Sequence, residues 1–582
     1  MAKKNLNTLI NEGRSLIKAK EFDKAIIVYE AILKINNTNF PALSHLAIIY
    51  LMKERYENSI DMFLRSFKQI EPVVGDYQNL ALAYVALKEY GNAIKIYNKI
   101  IKIKPNSSEI YKLLGDAQMA IADQPGALDS YGYALKLSPE KFQRLFDYGL
   151  VLHVTKYHEE AIKVLKKALK IDPGHIECMN KIAGCLSAIG NYSEAKLIYN
   201  KLMTLVPDAQ APIIDYASCL IYEGKYEEPV KILKEVLIKK PYQDVAKLNL
   251  SMLYLTKKLF REGWEHHEAR IPIKNEADVT KRHDMLKNYF KIDAGKKELK
   301  TNERIIILHD AGIGDVILSL GMLKEFHKKY KHISAEVDYR LTELFQRSFP
   351  DIQFYSLREN KHEVIIEYDL NLFDKGIYWM SLGKYVRQDI AEFPKKNIPY
   401  LKPNNNKINE IKDKLKKGKD IICGISWKSE AQEGRHKTAQ LKNLLPIFSL
   451  QGIRFIDLQY EKKVHLGRTA IEKKELLEVN NIRIEEYEGI DKCEDIDDLT
   501  ALVENCDIVV TSSNVTAHIA GALGIKTFLY IPFSRGRIWY WHDEGAESIW
   551  YPSIKIFRAE ALDGWGTIFE KIAKSINQEL SL

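Results

Sequence analysis

No stretch of this 582-residue chain approaches the ~18–20 uninterrupted apolar residues that cross a bilayer, and the opening MAKKNLNTLINEGRSL lacks the apolar core of a signal peptide. Cysteine is scarce as well. The six cysteines, at 178, 185, 219, 423, 493 and 506, form no CxxC pair and no spacing matched to zinc ligands. That scatter excludes a disulfide framework and predicts a protein of the reducing cytoplasm with no metal site and no membrane span. Charge of one sign is also in short supply: 86 Lys plus Arg against 78 Asp plus Glu leave +8. Such a balance permits an acidic ligand but falls short of the concentrated basic footprint of a nucleic-acid binder, so no nucleic-acid partner is expected. With 46% hydrophobic and 28% charged residues the chain is neither disordered nor collagen-like. It is also too long for one core, which calls for several domains or a repeat array.

The first half repeats with a period of 34. With registers starting at residues 6, 40, 74, 108, 142, 176, 210 and 244, the twentieth position reads Ala25, Ser59, Ala93, Ala127, Ala161, Ala195, Pro229 and Gly263, nearly all small enough for two helices to cross closely. The twenty-fourth is large and apolar, from Tyr29 and Phe63 to Tyr199 and Leu233, and the thirty-second is Pro105, Pro139, Pro173, Pro207 and Pro241, where proline closes the second helix. This pattern resembles the tetratricopeptide repeat, a helix-turn-helix unit that stacks into an α-solenoid. The resemblance implies an array over residues 1–270 that holds a protein or peptide on its concave face; an architectural spacer is the plainer reading. The inner-face asparagine that recurs at the sixth position in some repeat-bearing glycosyltransferases is absent as a ladder, since that position reads His45, Asn79, Leu113, Asp147, Lys181, Asp215 and Asn249. The last register ends in Phe260-x-Glu262-Gly263-Trp264-x-x-x-Glu268-x-Arg270, which reads as a capping helix with Trp264 plugging the open end.

Residues 271–302 are polar and lysine-rich and read as a linker. Beyond them, β-branched runs alternate with helical patterns: Ile305–Leu308, Ile421–Trp427, Arg454–Leu458, Asp507–Val510 and Thr527–Ile531. Strands interleaved with helices predict parallel sheets covered on both faces, one in residues 303–403 and one in 404–582. Ligands of such sheets bind beyond the carboxyl ends of the strands.

Three strand-to-helix turns carry candidate chemistry. In Leu308-His309-Asp310-Ala311-Gly312-Ile313-Gly314-Asp315, Gly312 and Gly314 allow close backbone approach, and Asp315 is either an N-cap or a general base. Ser512, Ser513, Asn514, Val515 and Thr516 line a hydroxyl-rich turn opening a helix, where free amides favour a diphosphate. His518 lies one turn further on, as a core histidine or a donor-site group. Between them Lys428, Arg435 and Lys437 sit in a loop, either as a solvated basic surface or as counter-charges to a phosphate.

The second half resembles the heptosyltransferase-type, glycosyltransferase family 9-like domain of the GT-B fold, as found fused to tetratricopeptide repeats in bacterial proteins. The marks are Gly312 to Asp315, the strand-tryptophan-loop from Gly424 to Lys428 with Arg435, the strand end Asp457-Leu458-Gln459, the turn and helix ending His518-Ile519-Ala520-Gly521-Ala522-Leu523-Gly524, and Ile549-Trp550-Tyr551-Pro552. Where many relatives carry Asp-Thr, this chain has Ser513-Asn514. The resemblance implies a GT-B module of two Rossmann-like sheets that moves a sugar from a nucleotide-activated donor without a metal or other cofactor. It implies Asp315 as base with His518 in the catalytic group, and Lys428, Arg435, Gln459 and the Ser512–Thr516 turn on the donor. The expected function is transfer to a protein acceptor, such as a surface or flagellar subunit, recruited by the repeats. Transfer to a glycolipid or lipopolysaccharide, and a non-catalytic scaffold with a degenerate transferase domain, are the alternatives.

Overall fold

A computed structural model describes residues 6–271, 285–290, 299–358, 366, 368–415, 420–429, 434–461, 467–533, 536–560 and 564–580. The chain forms two compact units, residues 1–212 and 213–582.

The 34-residue period appears as eight helical hairpins, from Leu6–Lys18 with Phe22–Ile35 to Asp244–Thr256 with Phe260–His267. Small and large positions pair as the periodicity requires: Gly149 lies under Leu165, and a Cβ there would come within 2.4 Å of the leucine Cδ2. Ala25, Ala93, Ala127, Ala161 and Ala195 are fully buried at the helix crossings. Each turn between paired helices is made the same way. The fifteenth residue of every register, Lys20, Glu54, Lys88, Ala122, Lys156, Gly190, Gly224 and Lys258, is left-handed, with φ between 58° and 88°. Only two of these eight are glycine, so the others bear the steric penalty of a Cβ at positive φ. Lys88→Gly is therefore expected to stabilise the array by about 0.5–1 kcal/mol, read as a rise in urea midpoint at unchanged slope.

In the second unit the last two hairpins share a body with two parallel sheets. The first contains β1 (Arg304–Leu308), β2 (His332–Asp338), β3 (Gln353–Leu357) and β4 (Lys375–Tyr378) in the order β3-β2-β1-β4. The second contains β5 (Ile421–Ser426), β6 (Ile453–Asp457), β7 (Ile484–Glu485), β8 (Ile508–Ser512), β9 (Lys526–Ile531) and β10 (Ile554–Arg558) in the order β10-β9-β8-β5-β6-β7. Every pairing within them is parallel. The strand order reverses between β1 and β4 and between β5 and β8, and these reversals open the crevices in which ligands of parallel sheets sit. Both candidate turns, at Gly312 and at Ser512, follow strands at a reversal.

Trp264 does not plug the end of the array. The closing helix Phe260–His267 is driven into the sheet region: Trp264 is 2% exposed, donates its Nε1–H to the carbonyl of Arg387 at 2.7 Å and meets Trp539 edge-on at 5.4 Å. It lies so close over Gly383 that a Cβ there would be 2.1 Å from the indole. The rest of the string follows it in. Arg270 pairs with Asp310 at 2.7 Å and Glu268 at 3.0 Å, and Ser381 donates to Glu268 at 2.7 Å. A buried guanidinium needs such partners, and these tie the last hairpin to the loop that carries Gly312. Of the expected linker, 272–284 and 291–298 lie outside the described residues. Residues 285–290 are helical, with Leu286 and Phe290 packed on Ile306, Leu308 and Tyr378.

Candidate functional site

The helix Ile313–Leu320 after β1 takes Gly312 as its N-cap, so Asp315 occupies the third helical position. It is therefore not the N-cap residue, and its half-buried Oδ1 accepts from Tyr540 Oη at 3.1 Å. Tyr540 also lies 3.2 Å from Nε2 of His518, whose Nδ1 is 3.0 Å from Tyr551 Oη. Asp315 and His518, on helices of different sheets, are thus joined through one phenol. His518 stacks on Trp541 and is 2% exposed. Burial pushes its imidazole down to about 3, the ammonium of Lys437 adding to the effect, so it is neutral and relays hydrogen bonds without carrying charge. Burial first, and then the Asp315 carboxylate, push the Tyr540 phenol well up, which keeps it a donor.

Gly314 makes room for this junction. A Cβ at 314 would lie 2.7 Å from Cδ2 of buried His518, a contact that the stacked, doubly bonded ring has no room to relieve. Gly314→Ala is expected to destabilise the second unit by about 1–3 kcal/mol, measured as a lower denaturant midpoint.

The second turn is closed by its own side chains. Asn514 caps the helix Val515–Leu523, accepting from the amide of Ala517 and from Thr511 Oγ1, and donates across the strand-order reversal to Ser426 Oγ at 2.8 Å and the carbonyl of Lys428 at 3.1 Å. Asn514 thus supplies the cap and the cross-link together. Ser512 is fully buried, and Ser513 accepts from the Trp541 indole at 2.8 Å. Thr516 is fully buried too, its hydroxyl without a hydrogen-bond partner among the described residues. Of these five residues Val515 is the one that lines the large cavity.

Lys428 and Gln459 are held by the protein itself. The Lys428 ammonium pairs with Glu472 at 2.7 Å, and the other oxygen of that carboxylate accepts from the Trp427 indole at 2.8 Å. The side-chain oxygen of Gln459 accepts from the amides of Trp427 and Lys428, at 2.9 and 2.7 Å, and so shapes the loop after β5. Arg435 lies in the short turn Gly434–Lys437, and its side chain is outside the described residues. Lys437 is buried.

A cavity of about 1060 Å³ opens between the two turns, with Gly312 and Ile313 on one side and Val515 and Gln459 on the other. Its remaining wall is mostly acidic, with Asp457, Glu461, Glu486, Glu488, Asp491 and Glu494 beside Arg340 and Lys492. Part of that negative charge is countered from behind, Lys473 lying 2.6 Å from Asp457 and 3.2 Å from Glu486. Tyr540, Trp541 and Glu472 are the members of the site that the sequence did not mark. Tyr551, within Ile549-Trp550-Tyr551-Pro552, is equally silent in the sequence, because aromatic residues bear no chemical signature until the fold brings a polar partner to them.

Models of the tetratricopeptide repeat match residues 77–107, 112–176 and 157–213. The helical half is a tetratricopeptide-repeat array. Protein FlbA of Caulobacter vibrioides is 27% identical over 443 residues, covering 72% of this chain and 70% of that protein. That match is longer than the array, so it takes in part of the sheet region. Among solved structures, YrrB, described as a tetratricopeptide-repeat protein with an unusual peptide-binding site, is 20% identical with a TM-score of 0.28, over 30% of this chain and 91% of its own. The C-terminal part of a repeat-containing protein from Cytophaga hutchinsonii is 14% identical with a TM-score of 0.35, over 41% of this chain and 97% of its own. No helix among the described residues is long and apolar enough to cross a membrane.

Proposed function

We propose that this protein is a glycosyltransferase of the GT-B type, which moves a sugar from a nucleotide-activated donor to a protein acceptor recruited by its tetratricopeptide repeats. The observation that carries the reading is the convergence of two strand-order reversals on one cavity lined by Gly312 and Val515, with Asp315 three residues after Gly312 and tied through Tyr540 to His518 on the helix of the second turn. In this reading Asp315 takes the proton of the acceptor hydroxyl, and the positive end of the helix Val515–Leu523 favours the departing nucleotide phosphate. The carboxylates of the cavity wall accept hydrogen bonds from sugar hydroxyls. A pocket of about 360 Å³ bounded by Tyr222, Tyr226 and Asn249 of the last hairpins and by Lys437 and Arg537 supports passage of an acceptor segment from the array to the sheets.

One observation favours a second reading, a repeat scaffold whose sheet module no longer transfers: Lys428 is paired with Glu472, and the cavity wall is acidic. Incubation with GDP-, UDP-, ADP- and CMP-linked sugars and the natural acceptor separates the two. Transfer is expected to add one sugar mass to the acceptor with one donor, and a panel without turnover supports the scaffold. Removing residues 1–212, the first compact unit, is expected to abolish modification of the protein acceptor while transfer to a small acceptor persists. Equal loss of both would point to a structural role for the array.

A further inference from the structure

We propose that His153, His158 and Cys185 form a zinc-binding site that clips two successive repeats of the array together. Their ligand atoms lie within 4.8 Å of one another, and they are the one such histidine, cysteine or carboxylate group among the described residues. His153 is in the last turn of the helix Phe142–Val154, His158 opens the helix His158–Ile171, and Cys185 comes from the helix Ile176–Ala188 of the following repeat. The Nδ1 of His153 is 3.1 Å from the Cys185 sulfur. A tetrahedral zinc with bonds of ~2.0–2.1 Å to nitrogen and ~2.3 Å to sulfur places such atoms about 3.6 Å apart, so small side-chain rotations seat the ion.

The periodicity supplies an independent reason to regard the group as a site. His153 is the twelfth residue of its register, where the other seven are Ile17, Leu51, Val85, Met119, Ser187, Ile221 and Leu255. His158 is the seventeenth, where six of the other seven registers carry Phe or Tyr and one carries Gln124. Apolar and aromatic side chains fill all but two of these other positions, Ser187 and Gln124 being the exceptions, yet this one repeat has imidazoles at both, beside a buried thiol. The donor set of two imidazoles and one thiolate suits zinc and leaves one tetrahedral position for water.

On binding, the hydrogen bond between His153 and Cys185 breaks, the thiol proton leaves to solvent, and nitrogen–zinc and sulfur–zinc bonds replace them. Sequence spacing does not reveal the set, because two of the ligands come from one repeat and the third from the next.

The test is cobalt substitution in the full-length protein after chelation. One equivalent of Co²⁺ is expected to give a thiolate-to-metal charge-transfer band, and Zn²⁺ should displace it. Cys185→Ser should remove the band, whereas Cys178→Ser, a buried cysteine of the same helix, should keep it. His158→Gln should weaken Co²⁺ binding at least about tenfold. Zn²⁺ should raise the melting temperature of the wild type but not of Cys185→Ser. Absence of a band at excess Co²⁺ in wild-type protein with native circular dichroism, a band that survives Cys185→Ser, or unchanged affinity in His158→Gln would each overturn the proposal.

Discussion

Replacing Asp315 with asparagine is expected to lower kcat/KM for sugar transfer by about 10²–10⁴-fold, or about 3–5 kcal/mol of transition-state stabilisation, while nucleotide affinity stays unchanged. The substitution preserves shape, and an amide oxygen in place of Oδ1 still accepts from Tyr540, so the Asp315–Tyr540–His518 link survives. What is lost is the basicity needed to take a proton from the acceptor. Removing a whole side chain would disturb the link as well, which is why the isosteric change is the informative one. Single-turnover transfer and calorimetric nucleotide binding measured on the same preparation decide the matter. Full activity in the variant would move the base to the cavity wall, which carries Glu486, Glu488 and Asp491 among its carboxylates.

Trp264→Ala carries the largest expected effect on stability, about 3–5 kcal/mol, because a buried indole is removed from between the last hairpin and the sheets. The loss has two parts. The ring's contact with Trp539 and with the surface over Gly383 disappears, and the carbonyl of Arg387 loses its buried donor. Trp264→Phe keeps most of the area and should cost about 1–3 kcal/mol, chiefly that of the unsatisfied carbonyl. All seven tryptophans lie in residues 213–582, so urea titration followed by indole fluorescence reports the second unit without interference from the first. A loss below about 1 kcal/mol for the alanine variant would show that the other contacts, Phe260 on Phe393 and Arg270 on Asp310 among them, hold the helix without the indole.

The legibility of the two halves differed for a physical reason. In the array, each helix must meet its neighbour at the same few positions every 34 residues, so packing is written into the sequence as periodicity, and Ala93, Ala127 and Ala161 sit fully buried where the period places them. The left-handed turn residue escaped notice because lysine and glutamate carry no signal for positive φ. In the second half the long β-branched runs at β1, β5, β8 and β9 were visible. β2, β3, β4 and β10 were not, since HISAEVD, QFYSL, KGIY and IKIFR are short or interrupted by polar residues. Parallel strands are hydrogen-bonded to partners distant in sequence, and a short one is identified by its neighbours rather than its composition.

The sequence by itself determined the repeat, its register and its closing string, the change to alternating strands and helices, and the two glycine- and hydroxyl-rich turns. These are all local or periodic properties. Only the tertiary structure decided what the marked residues touch: that Trp264 enters the sheet region, that Lys428 is held by Glu472, that Gly314 makes room for His518, and that Tyr540 joins His518 to Asp315. Each of these contacts brings together groups from 22 to 225 residues apart in the chain, and their energies depend on burial and distance, which no local pattern encodes.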